Sequence, residues 1–408
     1  MKTNLLTHLV PTLPPNTGEL GEYALSLARH LRDCCGINSQ FILCDPDWNG
    51  PARIDGFPVH RLRFPNEARL WGLLASLKDD PTVLLHYDGN GYEKHGVPTW
   101  LYFGIKSWLA DGNGRPTQSH KQFFTVFHEL WGPAAKLWQR RFYLRMLQRR
   151  LVERLHHLSQ VSITSGQQQQ SELDAIEPRK TLLLPFPGSL PVIDPIMPRA
   201  GREEPMLVAI MAQEGPRSET IRAHANLLRT LDSTNRLAGA VLIGRLNQGA
   251  GALNEELALL HKFVSPDRIK ILENRKPEDV SQFLNRADLF VSTAGGETAC
   301  KSGPVIAALA AGCPVVLRNG QNASPLQEGQ HFIASDDSPA SVRRFEQMAQ
   351  GGELERIATA GRIWYKRYAD WPVIARKYQE ALLAQVAVPP SPVPRMELPL
   401  LSLPAPTR

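Results

Sequence analysis

The chain has 408 residues, of which 42% are hydrophobic and 21% charged, and it carries a formal net charge of +6. That length makes two domains, or three at most, each with an ample core, and the composition excludes a disordered, fibrous or disulfide-built chain. Five cysteines, Cys34, Cys35, Cys44, Cys300 and Cys313, are odd in number and lack metal-ligand spacing, which points to a reducing, cytoplasmic setting.

Strand and helix signals alternate from the start. The opening Met1-Lys2-Thr3-Asn4 lacks a signal-peptide shape, because His8 and Pro11 break the apolar run behind it. Residues 4–12 read as a strand, and residues 19–33 as a helix with Leu20, Ala24, Leu27 and Leu31 on one face. Between them, Gly18 and Gly21 form a turn at which a phosphate or sugar can approach the backbone. Further strands are expected at 38–44, 82–87, 122–127, 160–164 and 181–184. Two of these end in polar loops at one sheet edge, His86-Tyr87-Asp88-Gly89-Asn90-Gly91-Tyr92 and Phe127-His128-Glu129-Leu130-Trp131. A strand-end histidine such as His128 is either an ordinary hydrogen-bonded residue or a functional one.

The charge is concentrated in one segment. Lys136, Arg140, Arg141, Arg145, Arg149, Arg150 and Arg154 are set against Glu153 alone, an excess of +6 that leaves the remaining chain formally neutral. Leu144, Leu147, Leu151 and Leu155 recur at steps of three and four, so the segment reads as an amphipathic helix with a basic face. Such a helix either packs its leucines on the core beneath a solvated face, or brings residues 136–155 to anionic lipid or an anionic acceptor. No recognition motif or interleaved aromatic pattern accompanies the charge, so nucleic acid is not an expected partner.

Prolines and the break Arg199-Ala200-Gly201-Arg202 mark residues 191–205 as a linker, after which strands are expected at 206–211, 239–243, 269–272, 289–292 and 314–317. The expected α/β fold is therefore two Rossmann-like, doubly wound parallel-sheet domains, 1–190 and 206–365, facing each other across a cleft. A helix follows at 366–385, and seven prolines from Pro389 to Pro406 make 386–408 a disordered tail. The longest uncharged apolar run, Pro304–Leu317, is too short to span a bilayer, so a soluble protein is expected.

Residues 288–317 carry the strongest chemical signal. They read as a strand, a Gly-Gly turn with Glu297, a small-residue helix, and Gly312-Cys313-Pro314 opening another strand. Ser302 is placed to cap the helix, Gly303 admits a ligand to the backbone, and Pro304 sits where a first-turn proline is tolerated. An N-terminus of this kind favours an anion, and Lys301 adds a positive charge beside it.

Ala287-Asp288-Leu289-Phe290-Val291 and Ala308-Leu309-Ala310-Ala311-Gly312-Cys313-Pro314-Val315-Val316 resemble the corresponding stretches of the retaining, two-domain (GT-B fold) glycosyltransferases of the family 4 type, the glycosyl transferases group 1. Tyr368-Ala369-Asp370-Trp371-Pro372-Val373-Ile374-Ala375-Arg376-Lys377-Tyr378 resembles that family's closing helix, which crosses back onto the first domain. The resemblance spans roughly residues 4–385 and implies transfer of a sugar from a nucleotide-activated donor, with retention, to a polysaccharide or glycolipid acceptor. It implies His128 near the anomeric centre and Glu297, at the family's first glutamate, on sugar hydroxyls. It further implies donor binding by Gly18, Gly21, Arg217, Arg245, Lys301, Ser302 and Gly303, with Tyr87 and Asp88 on the acceptor side.

The family's second glutamate has no counterpart, since counting gives Ala307 from Gly312 and Val305 from Glu297. The loop at 211–218 has Arg217 as its one cation in place of the family's arginine and lysine, with Lys301 as the substitute for the second. A second reading is accordingly a catalytically silent GT-B protein serving as a sugar-binding or assembly partner. No cofactor and no metal are expected. Asp45-Pro46-Asp47 matches a metal-diphosphate pattern of the other major glycosyltransferase fold, which is usually a single domain. The expected setting is the cytoplasm, with peripheral contact on the inner membrane face through 136–155.

Overall fold

A computed structural model describes residues 5–16, 18–77, 82–110, 121–133, 139–188, 190–194, 204–212, 216–244, 249–273, 275–318 and 325–384. The expected tail at 386–408 and most of the expected linker lie outside these residues.

The first domain is built on β1 (Leu5–Val10), β2 (Asn38–Leu43), β3 (Arg53–Ile54), β4 (Phe57–Arg61), β5 (Thr82–Tyr87), β6 (Gln122–Phe127), β7 (Ser162–Thr164) and β8 (Thr181–Leu183). Their order is β3-β4-β2-β1-β5-β6-β7-β8, parallel except for the short β3–β4 hairpin. The second domain carries β9 (Met206–Met211), β10 (Leu237–Gly244), β11 (Ile269–Glu273), β12 (Leu289–Ser292), β13 (Val315–Arg318) and β14 (Ile333–Ser335), ordered β11-β10-β9-β12-β13-β14. The strand order reverses between β1 and β5 in one sheet and between β9 and β12 in the other. In open parallel sheets the crevice at such a point, at the carboxyl edge, is where ligands bind.

Central strands such as β1 and β5 are buried on both faces because helices cover both sides of the sheet. On one face Leu85, Phe127, Leu151, Val152 and Leu155 pack together, the last three from the helix Arg140–Leu158. On the other face Leu6, Leu84 and Val126 meet Tyr23 and Leu27 of the helix Glu19–Cys35. That helix ends at Gly36, whose left-handed φ of 66° lets its N–H close on Arg32 and Leu31 carbonyls.

The return to the first domain is visible. Helix Glu353–Tyr368 packs Trp364 and Tyr365 into the second domain, and helix Trp371–Ala384 packs Trp371, Ile374, Ala375, Tyr378 and Leu382 into the first. The chain therefore turns at Ala369–Asp370, and both of their N–H groups donate to the Tyr365 carbonyl. Trp371 Nε1 donates to the Gly188 carbonyl at 2.9 Å, tying the crossing helix to the end of the first domain. Arg362 and Lys366 both engage the linker carboxylate Asp194, so linker and C-terminal helices are joined as one strap.

The basic helix spans Arg140–Leu158, with a buried face different from the expected one. Gln148, Leu151, Val152 and Leu155 are buried, whereas Leu147 is 47% exposed and joins Tyr143 and Met146 on the outer surface among the arginines. Lys136 lies outside the described residues. Among the described residues no helix is long and apolar enough to cross a membrane.

Candidate active site

The second domain presents a helix N-terminus at the carboxyl edge of β12. After β12 the chain makes a 3₁₀ turn, Gly296–Lys301, and then enters the helix Gly303–Ala310. Ser302 caps that helix by accepting the Val305 N–H, and Pro304 occupies the first turn, where its missing N–H is no loss. A β-carbon built on Gly303 would meet nothing within 4 Å, so this glycine faces open space beside the cap. Glu297 lies on the 3₁₀ turn, and its side chain is outside the described part, as is the whole of Arg245.

Lys301 crosses to the first domain. A β-carbon on Gly166, the residue before helix Gln167–Asp174, would lie 2.5 Å from Lys301 Cε and 3.0 Å from Nζ. The Lys301 ammonium is also close enough to His128 to disfavour its protonation. One cation thus stands between a helix start in one domain and a strand-end histidine in the other.

His128 follows β6 directly and is held at both ends. Its N–H donates to the Tyr87 carbonyl at 2.9 Å, continuing the β5–β6 ladder by one residue. Its carbonyl accepts from Gln169 Nε2 at 3.2 Å, and Gln169 in turn accepts from Thr164. The ring meets Tyr23 edge to face, with centroids 5.0 Å apart and planes at 84°. Burial lowers the His128 pKa to about 4, and Lys301 acts in the same direction, so the ring is neutral at pH 7. The Tyr23 hydroxyl shares a 2.9 Å hydrogen bond with Tyr378 of the crossing helix, and burial pushes its pKa up to about 12. The C-terminal strap therefore supports the tyrosine that packs on His128.

Three expected site residues are used differently. Arg217, at the start of helix Pro216–Ala223, is fully buried, and its Nε and Nη2 meet the equally buried Glu256 carboxylate at 3.1 and 2.9 Å. A buried guanidinium must be paired, and Glu256 supplies the partner inside the second domain, while Nη1 is buried with no hydrogen-bond partner among the described residues. Tyr87 is likewise fully buried, its ring edge-on to Phe127 at 5.5 Å, because alternation along β5 turns it to the face opposite His86. Gly21 serves close chain packing, since a β-carbon there would lie 2.5 Å from the Thr12 carbonyl oxygen.

The remaining candidates keep to the sheet edges. Gly18 is the N-cap of helix Glu19–Cys35 in an extended conformation, next to Thr12. Asp88 is half-buried, accepts the Asn90 N–H at 3.1 Å, and has its pKa raised by burial. Asp45 accepts from Asn16 at 2.7 Å and from the Asp47 N–H at 2.9 Å, one bond to each of its carboxylate oxygens.

Around His128 the structure adds Tyr23, His8 and Gly166, and it places His86, which the sequence puts in a polar strand-end loop, beside the His128 ring. A signal for the two histidines existed: His8 and His86 are imidazoles inside the mostly apolar strands β1 and β5.

No protein-family model and no curated protein matches the sequence. Solved structures do. Anabaena HepE in complex with UDP superposes with a TM-score of 0.64 at 13% identity, covering 93% of this chain and all of that one. The fold is GT-B. Sucrose-phosphate synthase from Thermosynechococcus elongatus gives a TM-score of 0.62 at 15% identity, covering 94% of this chain and 99% of its own. The lipopolysaccharide outer core galactosyltransferase WaaB gives 0.61 at 12% identity, covering 93% and 99%. Each of these alignments spans more than nine-tenths of this chain and so takes in both domains.

Proposed function

We propose that the protein is a glycosyltransferase that moves a sugar from a nucleoside-diphosphate donor to a glycan or lipid-linked acceptor with retention at the anomeric carbon. The observation that carries this reading is the convergence of Lys301, the Ser302-capped helix start and Gly303 on one side of the cleft with His128 on the other. A helix start and an ammonium stabilise a diphosphate leaving group. A neutral imidazole at the opposite wall is a hydrogen-bonding group for the sugar, whose anomeric centre turns positive as the diphosphate departs with the bonding electrons. HepE, a structural neighbour, is a protein seen with UDP and with UDP-glucose, which makes a uridine nucleotide the first donor to try.

In this reading the chain's own residues bind and orient. Lys301 neutralises the diphosphate as the glycosidic bond breaks, with Glu297 on the sugar hydroxyls. Arg217 holds Glu256 and shapes the second domain without touching donor, and Asp88 stands on the acceptor side. The reaction proceeds without a metal or cofactor. The exposed Tyr143, Met146 and Leu147 among Arg140, Arg141, Arg149 and Arg150 form the face that meets an anionic membrane, where a lipid-linked acceptor resides.

The test is release of nucleoside diphosphate from UDP-, GDP- and ADP-sugars, with and without glycan or glycolipid acceptors, followed by proton NMR of the product's anomeric centre. Turnover of one donor with the α or β configuration kept supports the reading. Failure to turn over any donor, with or without acceptor, contradicts it.

A further inference from the structure

His128 is the last step of a buried staircase of polar side chains on one face of the first sheet. In β2, Ser39 stands opposite Leu6 of β1, and His8 is two residues beyond Leu6. His8 stands opposite Leu84 of β5, and His86 is two residues beyond Leu84. His86 stands opposite Val126 of β6, and His128 is two residues beyond Val126. Side chains two apart on a strand share a face, so each group lies diagonally up from the last toward the carboxyl edge.

The diagonals are bonded. Ser39 Oγ is 3.2 Å from His8 Nε2, His8 Nδ1 is 3.0 Å from His86 Nε2, and His86 Nδ1 is 3.4 Å from His128 Nε2. Neighbouring rings are stacked at centroid distances of 5.3 and 5.6 Å. Ser39, His8 and His86 are buried, so the low end of the chain of bonds is closed to solvent.

The geometry imposes a rule on the protons. Each ring-to-ring link joins an Nδ1 to an Nε2 and holds one hydrogen. If His8 carries its proton on Nδ1, His86 must accept at Nε2 and carry its own on Nδ1, and His128 must do the same. If His8 carries it on Nε2, the other two follow. All three rings share one tautomer, and Ser39 completes the chain as donor in the first case and acceptor in the second. Since the chain ends in a buried hydroxyl that can donate or accept, it couples the three tautomers to one another and does not conduct a proton to water.

We infer that His8 and His86 are positioning residues that fix the ring and the tautomer of His128, and so decide whether its Nδ1 donates or accepts in the cleft. The inference rests on the glycosyltransferase reading for its consequence, since a ring of fixed tautomer discriminates a sugar hydroxyl from a sugar oxygen. Its structural content stands without any donor. Burial keeps all three rings neutral, with the His8 pKa lowered to about 3 and that of His86 lowered further by both neighbours. The groups that face them are Tyr23 and Phe41 by ring contact, Ser39 by hydrogen bond and Lys301 by charge.

The experiment is a long-range proton–nitrogen correlation spectrum of ¹⁵N-histidine protein at pH 7, for wild type and for His86→Phe, His86→Gln and Ser39→Ala. Wild type is expected to show His8, His86 and His128 neutral and in one common tautomer. His86→Phe keeps an aromatic ring but removes both links, and the His128 nitrogens should move toward a mixture of tautomers. His86→Gln, which can both donate and accept, should restore them at least in part. Ser39→Ala serves as the second variant if His86→Phe does not fold, and any shift it causes should move His8, His86 and His128 together. With a donor identified, His86→Phe should lower kcat per folded enzyme about tenfold with donor KM within about twofold, and His86→Gln should regain part of that rate at equal folded fraction, a rescue that a merely destabilised fold would not give. Opposite tautomers on neighbouring rings, an imidazolium at pH 7, or His128 signals unmoved in His86→Phe would overturn the proposal. If no donor is turned over, the functional reading fails while the spectra still decide the tautomer rule.

Discussion

Buried ionisable side chains are where single residues matter most here. His8 and His128 have pKa values lowered to about 3 and about 4, and His86 is lowered as well, all by loss of hydration. Unfolding therefore takes up protons below pH 6.5, so stability rises with pH through that window and is lost as pH falls toward the folded values. Each histidine contributes a slope of up to about 1.4 kcal/mol per pH unit. Urea unfolding should show the midpoint dropping steadily from pH 6.5 to 5, above the range of most carboxylates, and a flat profile there would contradict the burial of these rings. Arg217→Ala would strand a buried Glu256 and should destabilise by about 3–5 kcal/mol in the same assay. Little or no loss would mean that the pair is hydrated. His128→Ala removes a group from the cleft itself, and transfer should fall by about 10²-fold or more with the melting temperature little changed. The sequence marked His128 by its place at a strand end, but it could not show that Arg217 turns inward. That outcome depends on Glu256, 39 positions away and on another helix.

At the scale of elements, apolar runs bounded by turn residues located most of the strands. β5, β6, β9 and β12 have the bounds expected of them, because each is a central strand whose burial demands an uninterrupted apolar segment. The β3–β4 hairpin and β14 were not legible, since edge strands are short and only partly buried. The capped helix at Ser302 was legible from its cap, glycine and proline alone. The basic helix was legible as a helix but not in its orientation, because leucine spacing allowed Leu147 inward and packing chose Gln148 and Val152. Its outward Tyr143, Met146 and Leu147 lead to a testable expectation. Wild type should co-sediment with vesicles containing anionic lipid and not with neutral ones, and the triple change Arg140→Glu, Arg141→Glu, Arg150→Glu should abolish that binding without altering the circular dichroism spectrum. Equal binding by the triple variant would remove the membrane role from this helix.

For the whole molecule, the two domains approach where Lys301 reaches Gly166 and His128, and the helices from Glu353 to Ala384 pack into both cores. Trp371 and Tyr378 belong to the second half of the sequence but complete the first domain's core and brace Tyr23 against His128. Periodicity reported two halves; the resemblance of the closing helix indicated their exchange, and the hydrogen bond from Trp371 to Gly188 shows where it occurs. What stayed hidden from sequence was the reach of Lys301 to Gly166, a contact between residues 135 positions apart that local pattern cannot encode.

The central claim is a donor site at the Lys301 side of the cleft. Isothermal calorimetry of wild type and Lys301→Ala with UDP and UDP-glucose, and with GDP and ADP as comparisons, tests it most directly. Wild type is expected to bind one nucleotide, and Lys301→Ala to bind it about tenfold or more weaker, worth about 1.4 kcal/mol or more. Absence of binding by every nucleotide, or equal binding by the variant, would contradict it and leave a GT-B protein that recognises sugars or partners without a donor.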